Sequence, residues 1–247
     1  MAKYKQEMIY GIRAVIEAIN KEEAVDKVLF RNGLEGPLFQ ELFKLVRDKN
    51  IAFQYVPQEK LQALDTRNNQ GVVAFVSPVE YQDIDEVIDL KLAEGKQPVV
   101  LILDGITDVR NFGSIARSAE CAGVDAIVIP HKHSAKISSD AIKTSAGALY
   151  NIPVCKVVNM RKLVKNLKFK GFMVAAATEK ADKNYTEVDL TQPTAFIMGS
   201  EDKGIRDELM ELVSEKISIP ILGQIESLNV AVAASLMVYE LVRQRSL

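Results

Sequence analysis

Apolar side chains recur near the start of the chain at Ile12, Val15, Ile16 and Ile19. This i, i+3, i+4, i+7 spacing gathers all four on one side of a helix. Short apolar runs at 25–30, 51–56 and 72–76 read as strands. Between the first two, Leu38, Leu42, Phe43 and Val46 repeat with helical spacing behind Pro37, which suits the first helical position because the amide hydrogen it lacks would have no partner there. The pattern predicts a small αβαβαβ unit of roughly 75 residues. Beyond Pro98, apolar runs at 99–103, 126–129, 152–157, 172–177, 194–198 and 216–219 alternate with helical stretches. One of these helices passes through 115–122 and stops at Gly123, and a long last helix starts at about Leu228. Runs that are apolar at every position, rather than every second one, predict strands covered on both faces, as in a parallel sheet built from β-α-β crossovers. The predicted fold class is therefore α/β.

Between the two patterned regions the composition turns acidic. Glu80, Asp83, Asp85, Glu86, Asp89 and Glu94 stand against Lys91 and Lys96, between two prolines. The expected division is a first domain over 1–77, a linker over 78–97 with helical potential around 84–92, and a second domain over 98–247.

Composition narrows the class of protein without naming a chemistry. The chain has 247 residues, 48% hydrophobic and 26% charged, which is ordinary globular usage and excludes a disordered or fibrous protein. A net charge of -2 gives no global attraction to phosphate, although charge averaged over the chain hides individual faces. Six basic residues and no acidic one lie between Lys156 and Lys170, as either a phosphate-facing patch or the solvated side of a helix. Two cysteines, Cys121 and Cys155, are too few for a disulfide framework and are expected as free, partly buried thiols in a reducing cytoplasm. The N-terminal MAKYKQEMIYGIRAV lacks an apolar signal core, and the longest apolar stretch, 228–239, is broken by Asn229 and Ser235. Neither secretion nor a membrane span is expected. The triplet His131, Lys132, His133 offers metal-type ligands but no third partner nearby, so a solvated loop is favoured and no metal is expected.

Parallel sheets place their ligands at the carboxyl ends of the strands, which directs attention to three loops. The first reads DGITDVRNFGSIARSAECAG over 104–123, a Gly- and Asp-rich turn entering a helix that carries Asn111, Ser114 and Arg117. Ser114 and Arg117, three apart, share a face able to grip a phosphate or ribose. The second, FIMGSEDKGIRDEL over 196–209, separates Gly199 and Gly204 by four residues but is followed by Ile205 and Arg206, not the Lys and Ser or Thr of a phosphate loop. Its strand-ending glycine suits close backbone approach to a ligand. The third, ISIPILGQIESLNVAVAASLMVYELVRQR over 217–245, places Ser227 or Asn229 where either side chain can cap the last helix. No GxGxxG fingerprint is present, which counts against a dinucleotide enzyme.

In this order and spacing the three loops resemble the three motifs of the SpoU/TrmH family of SPOUT methyltransferases, over residues 99–245. YGIRAVIEAI at 10–19 and NQGVVAFV at 69–76 are similar to that family's N-terminal RNA substrate-binding domain. The chain departs from the usual pattern at Val109, Arg110, Asp202 and Asn69. Of these, Asp202 would be strained if its position demanded a positive φ.

The resemblance implies a C-terminal SPOUT-type parallel sheet with a trefoil knot and a homodimer packed around it, with Leu236, Tyr239 and Leu241 either in the interface or in the core. It also implies S-adenosylmethionine as cofactor and RNA as substrate. By position, Met198, Gly199, Ile219, Pro220, Leu228 and Asn229 would hold the cofactor, and Arg117, Asn111, Glu201, Ser227 and Asn229 would form the catalytic set. Arg117 matches the family's catalytic arginine, acting as general base or as a fixed cation beside the developing alkoxide, since a guanidinium resists deprotonation. Glu201 would serve the site or balance a buried donor. The implied reaction is 2′-O-methylation of RNA, with a guanosine of large-subunit rRNA favoured by the N-terminal domain. The alternatives are a tRNA target or a non-catalytic RNA-binding or ribosome-assembly factor.

Overall fold

A computed structural model describes residues 8–64 and 68–246. The first seven residues of the stretch read for a signal core lie outside this range. The chain forms two compact units, one of residues 1–80 with 136–139, the other of 81–135 with 140–247.

In the first unit the elements are β1 (Met8–Tyr10), α1 (Ile12–Asn20), β2 (Val25–Arg31), α2 (Pro37–Asp48), β3 (Ala52–Val56), α3 (Gln58–Leu64) and β4 (Val72–Val76). The sheet order is β1-β4-β2-β3, with β2 and β3 parallel and the other pairs antiparallel. The amphipathic stripe of α1 and that of α2 cover one face through Val15, Ile16, Leu42 and Val46, against Val28, Phe30 and Val72. Leu61 of α3 packs on the other face with Leu29, Val73 and Phe75. Neither β1 nor α3 was visible in the pattern, because three residues are too few to show a period and α3 buries one leucine. Asn69 has a structural reason: its Oδ1 accepts the Gly71 amide at 2.9 Å and shapes the turn into β4.

The second unit contains β5 (Tyr81–Gln82), α4 (Ile84–Ala93), β6 (Val99–Asp104), α5 (Val109–Cys121), β7 (Ala126–Pro130), α6 (Ser139–Thr144), β8 (Val154–Val157), α7 (Met160–Phe169), β9 (Met173–Ala177), β10 (Thr194–Gly199), α8 (Asp207–Met210), β11 (Glu215–Ile217) and α9 (Val230–Arg245). The strands form one parallel sheet in the order β11-β9-β10-β6-β7-β8-β5. Helices α4 and α7 cover one face, burying Ile88, Val164 and Leu167 on Val100, Val128 and Ile197. On α5, Phe112, Ile115, Ala116 and Ala119 are buried, and this helix packs along α9. The predicted α/β class with a parallel sheet is what the chain adopts.

Residues 78–97 are not a linker throughout. Tyr81 and Gln82 add an edge strand to β8, and Ile84 and Ile88 enter the core beneath α4. The acidic character that suggested a linker belongs to the solvent side of that helix and to its start, where Asp83 caps by accepting the Asp85 amide at 2.7 Å. The basic run is largely absorbed in the same way. Lys170 pairs with Asp85 and Asp89, Lys168 donates to the Leu212 carbonyl, Arg161 donates to the Glu208 carbonyl, and Lys156 lies over the Tyr81 ring. Only Lys162 and Lys165 of the six remain for a patch, so this run chiefly ties α7 to its neighbours.

Cys155 is buried and its thiol is pushed up to about 12 by burial, whereas Cys121 is exposed. Among the described residues no helix is long and apolar enough to cross a membrane.

Candidate active site

The sheet order fixes where a site forms. From β6 the chain moves outward to β7 and β8, then crosses to the opposite side for β9, β10 and β11. The loops leaving β6 and β10 therefore diverge at adjacent carboxyl ends, where Asp104 and Gly199 stand side by side.

Three loops are joined at this point by side-chain amides. Asn111, in the first turn of α5, donates through Nδ2 to Glu201 Oε1 at 3.1 Å. Asn229 Nδ2 reaches the same oxygen at 2.9 Å and Asn111 Oδ1 at 3.0 Å. Its own Oδ1 accepts the Ala231 amide at 3.0 Å, so Asn229, not Ser227, is the N-cap of α9. The two roles are compatible because cap and network use different atoms of one amide. Glu201 does balance donors, but the donors stand at an accessible site rather than in the core.

Glu201 of this network borders a cavity of about 500 Å³ at the ends of β9 and β10. Met198, Gly199, Glu201, Ile219, Ser227 and Leu228 line it. Pro220 is exposed beside Ile219 and is not part of the lining. Thr178 and Glu179, just after β9, also contribute. These two were overlooked in the sequence, although the rule that ligands sit at carboxyl ends of strands applies to the run ending at 177 as well as to the three loops chosen.

The loop after β10 is built around a close backbone approach, but of the chain to itself. A Cβ at Gly199 would lie 2.2 Å from the Gly204 carbonyl carbon and 2.4 Å from the Ile205 nitrogen. The left-handed position in this loop is Gly204, at φ +67, and Asp202 is not among the residues with positive φ. The departure at Asp202 therefore strains nothing. A second fastening was not foreseen: Asp104, 3% exposed, accepts from Arg206 Nε at 2.9 Å and from the Arg206 backbone amide at 3.0 Å.

Arg117 stands apart. It is exposed on α5 and, among the described residues, its side chain makes no hydrogen bond or ion pair. Six residues beyond Asn111 place it about 9 Å along the helix and roughly 120° around it. It lines neither this cavity nor the one next to it.

The SpoU rRNA Methylase family matches residues 98–239, the stretch that carries this network, and the family described as RNA 2′-O ribose methyltransferase substrate binding matches residues 8–82. The chain belongs to the SpoU family of RNA methyltransferases. A TrmH family tRNA/rRNA methyltransferase of Staphylococcus saprophyticus is 36% identical to this SpoU chain, covering 97% of it and 96% of the relative. The crystal structure of the SpoU methyltransferase AviRb from Streptomyces viridochromogenes, in complex with the cofactor AdoMet, covers 97% of the chain and 90% of AviRb at 25% identity and a TM-score of 0.62. The TrmH/SpoU tRNA modifying enzyme of A. aeolicus covers 66% of the chain and 83% of its own length at 29% identity and a TM-score of 0.57.

Proposed function

We propose that this SpoU enzyme methylates the ribose 2′-hydroxyl of an RNA nucleotide from S-adenosylmethionine, with a guanosine of large-subunit rRNA as target. The observation that carries this reading is the Asn111–Glu201–Asn229 network beside a cavity lined by Met198, Gly199 and Leu228. A cavity of about 500 Å³ lies within the usual range for a small-molecule site. It combines apolar side chains for a base with the backbone of Gly199 and Ile219 for polar contacts. Bound there, S-adenosylmethionine would supply an electrophilic sulfonium methyl.

The chain's own work is then to hold the 2′-oxygen in line and to favour its loss of a proton. The Asn111 and Asn229 amides fix the orientation of Glu201, whose second carboxylate oxygen stays free to accept a hydrogen bond. Ser227 offers a hydroxyl in the same cavity. Arg117 would act as a fixed cation beside the developing alkoxide, a role suited to a guanidinium without a partner in its own fold.

Because Arg117 does not reach the cavity of its own chain, we infer that the enzyme works as a homodimer in which a second copy brings it. Exposed Val232, Leu236 and Tyr239 on one face of α9 support that reading, whereas Leu241 is buried in the core. We also propose that the segment after β11 is threaded as the family's trefoil knot. In support, Ser218 bonds with the backbone of Lys183 and Tyr185, and the chain beyond it comes back to α5 at Asn111. The rRNA target is favoured by the substrate-binding match over residues 8–82, a domain that suits recognition of a large folded RNA. A cytoplasmic location is supported by the two free thiols.

The test supplies labelled S-adenosylmethionine with unmodified rRNA and tRNA transcripts and maps the product by primer extension sensitive to ribose methylation. Methylation of rRNA at one nucleotide is expected. Methylation of tRNA alone would replace the target, and no transfer to either would leave a non-catalytic RNA-binding factor. Arg117→Ala should lower the rate of transfer by at least about 100-fold while leaving cofactor affinity unchanged.

A further inference from the structure

The loop carrying Lys132 and His133 has no part in the network or the first cavity. It follows β7, the strand beside β6, at the same edge of the sheet as the site. Together with Thr107, Asn111, Glu201 and Lys203 it walls a second cavity of about 550 Å³. The two cavities share the stretch Ser200–Gly204, and Glu201 lines both.

Group transfer between two bound molecules requires donor and acceptor on either side of one reacting point. Two adjoining chambers, each large enough for a nucleoside, with the Glu201 carboxylate in their common wall, have that arrangement. The charges left over in the second chamber indicate which molecule it takes. Its acidic groups are mostly spent within the fold: Asp104 on Arg206, Asp108 on the Asn111 amide, and Glu201 on two side-chain amides. Among the described residues, the side chains of Lys132, His133 and Lys203 have no hydrogen-bond or ion-pair partner, against the single unpaired carboxylate of Asp202. The surplus is of donors and positive charge, as suits a phosphate diester rather than a cationic ligand.

We propose that the second cavity is the acceptor subsite, holding the target ribonucleotide with its flanking phosphates on Lys132 and His133. The proposal rests on the methyl-transfer reading for its meaning, and its deciding test is binding measured without turnover. Lys132 and His133 line only the second cavity, so substituting them separates acceptor from cofactor binding. The double variant Lys132→Ala/His133→Asn is suitable because asparagine tolerates the φ of +61 that His133 adopts.

Titration calorimetry of the full chain with guanosine 3′,5′-bisphosphate should show binding weakened about tenfold in the double variant. Lys132→Arg should retain binding, and S-adenosylmethionine affinity should be unchanged in both. With an RNA transcript, KM should rise while kcat holds. No binding of the bisphosphate by the unaltered chain, unchanged binding in the double variant, or competition between the bisphosphate and S-adenosylmethionine would overturn the proposal. Bisphosphate binding that is lost in the double variant, in a chain that methylates no RNA, would keep the subsite and remove the methyl-transfer reading instead.

Discussion

Gly199 shows how a single residue can be conspicuous in a sequence for a reason other than the one first assigned. Its position at the end of a strand suggests approach to a ligand, yet the atoms a Cβ would strike are the backbone of Gly204 and Ile205. Gly199→Ala must therefore open the loop that carries Glu201. It is expected to cost about 1–3 kcal/mol of stability as an overpacking substitution and to weaken S-adenosylmethionine binding with it. Thermal unfolding and calorimetry check both; an alanine variant with native stability and affinity would show that the loop yields without consequence. The Asp104–Arg206 clasp is the converse case. It was invisible because its partners, each inside one of the three loops, are far apart in the chain and no local spacing pairs them, but it holds the other end of the same loop.

At the level of the element, α9 joins the site to the edge of the unit. Its first residue is capped by Asn229 within the network, and its last turn is fastened by hydrogen bonds. Gln244 receives the Leu190 amide and donates to the Val188 carbonyl, and Arg245 donates to the carbonyls of Gln97, Leu190 and Gln192. Glu240, 7% exposed, accepts two hydrogen bonds from Arg243 and one from Gln244. The Arg243 bonds hold its carboxyl below the usual range, outweighing the opposing effect of burial. A carboxyl lowered by folding contributes stability above the ordinary glutamate value of about 4.3, and that contribution is lost as pH falls through the lowered folded value. Glu240→Gln should accordingly lower the melting temperature at pH 7 and lose less than the unaltered chain on acidification below about pH 4. Parallel melting curves against pH for the two proteins would refute this.

For the whole molecule, the separation of Arg117 from Asn111, Glu201 and Asn229 makes a prediction about assembly. If a second copy supplies the arginine, Arg117→Ala and Glu201→Ala chains are each inactive alone. Mixed and allowed to exchange, half of the dimers are heterodimers, and one of the two sites in each has both groups intact. Recovery of about one quarter of the unaltered activity is expected from these proportions, in keeping with the reciprocal contacts of a two-fold interface. No recovery after demonstrated exchange would place Arg117 in its own chain's site. Replacing Leu236 and Tyr239 by glutamate should yield monomers by sedimentation, because like charges would face one another across a symmetric α9 contact.

The hydrophobic pattern by itself determined the parallel sheet, since strands buried on both faces must be apolar at every position, and it placed the six main strands of the second unit within a few residues. It also singled out three of the loops at the carboxyl ends of the strands, but not those after β7 and β9 that line the cavities as well. Short elements with little buried surface, such as β1, β5 and α3, left no periodic trace. The acidic stretch at 78–97 looked like a linker because charge on the outer side of a helix obscures two buried isoleucines. Only the tertiary structure decided which residues meet. Asn111, Glu201 and Asn229 became neighbours because the sheet reverses its order between β6 and β10, a long-range pairing that no local spacing encodes. The turn of about 120° between Asn111 and Arg117 is set by their spacing on one helix, whereas the sheet order decided that Lys132 and His133 wall a second cavity beside the site.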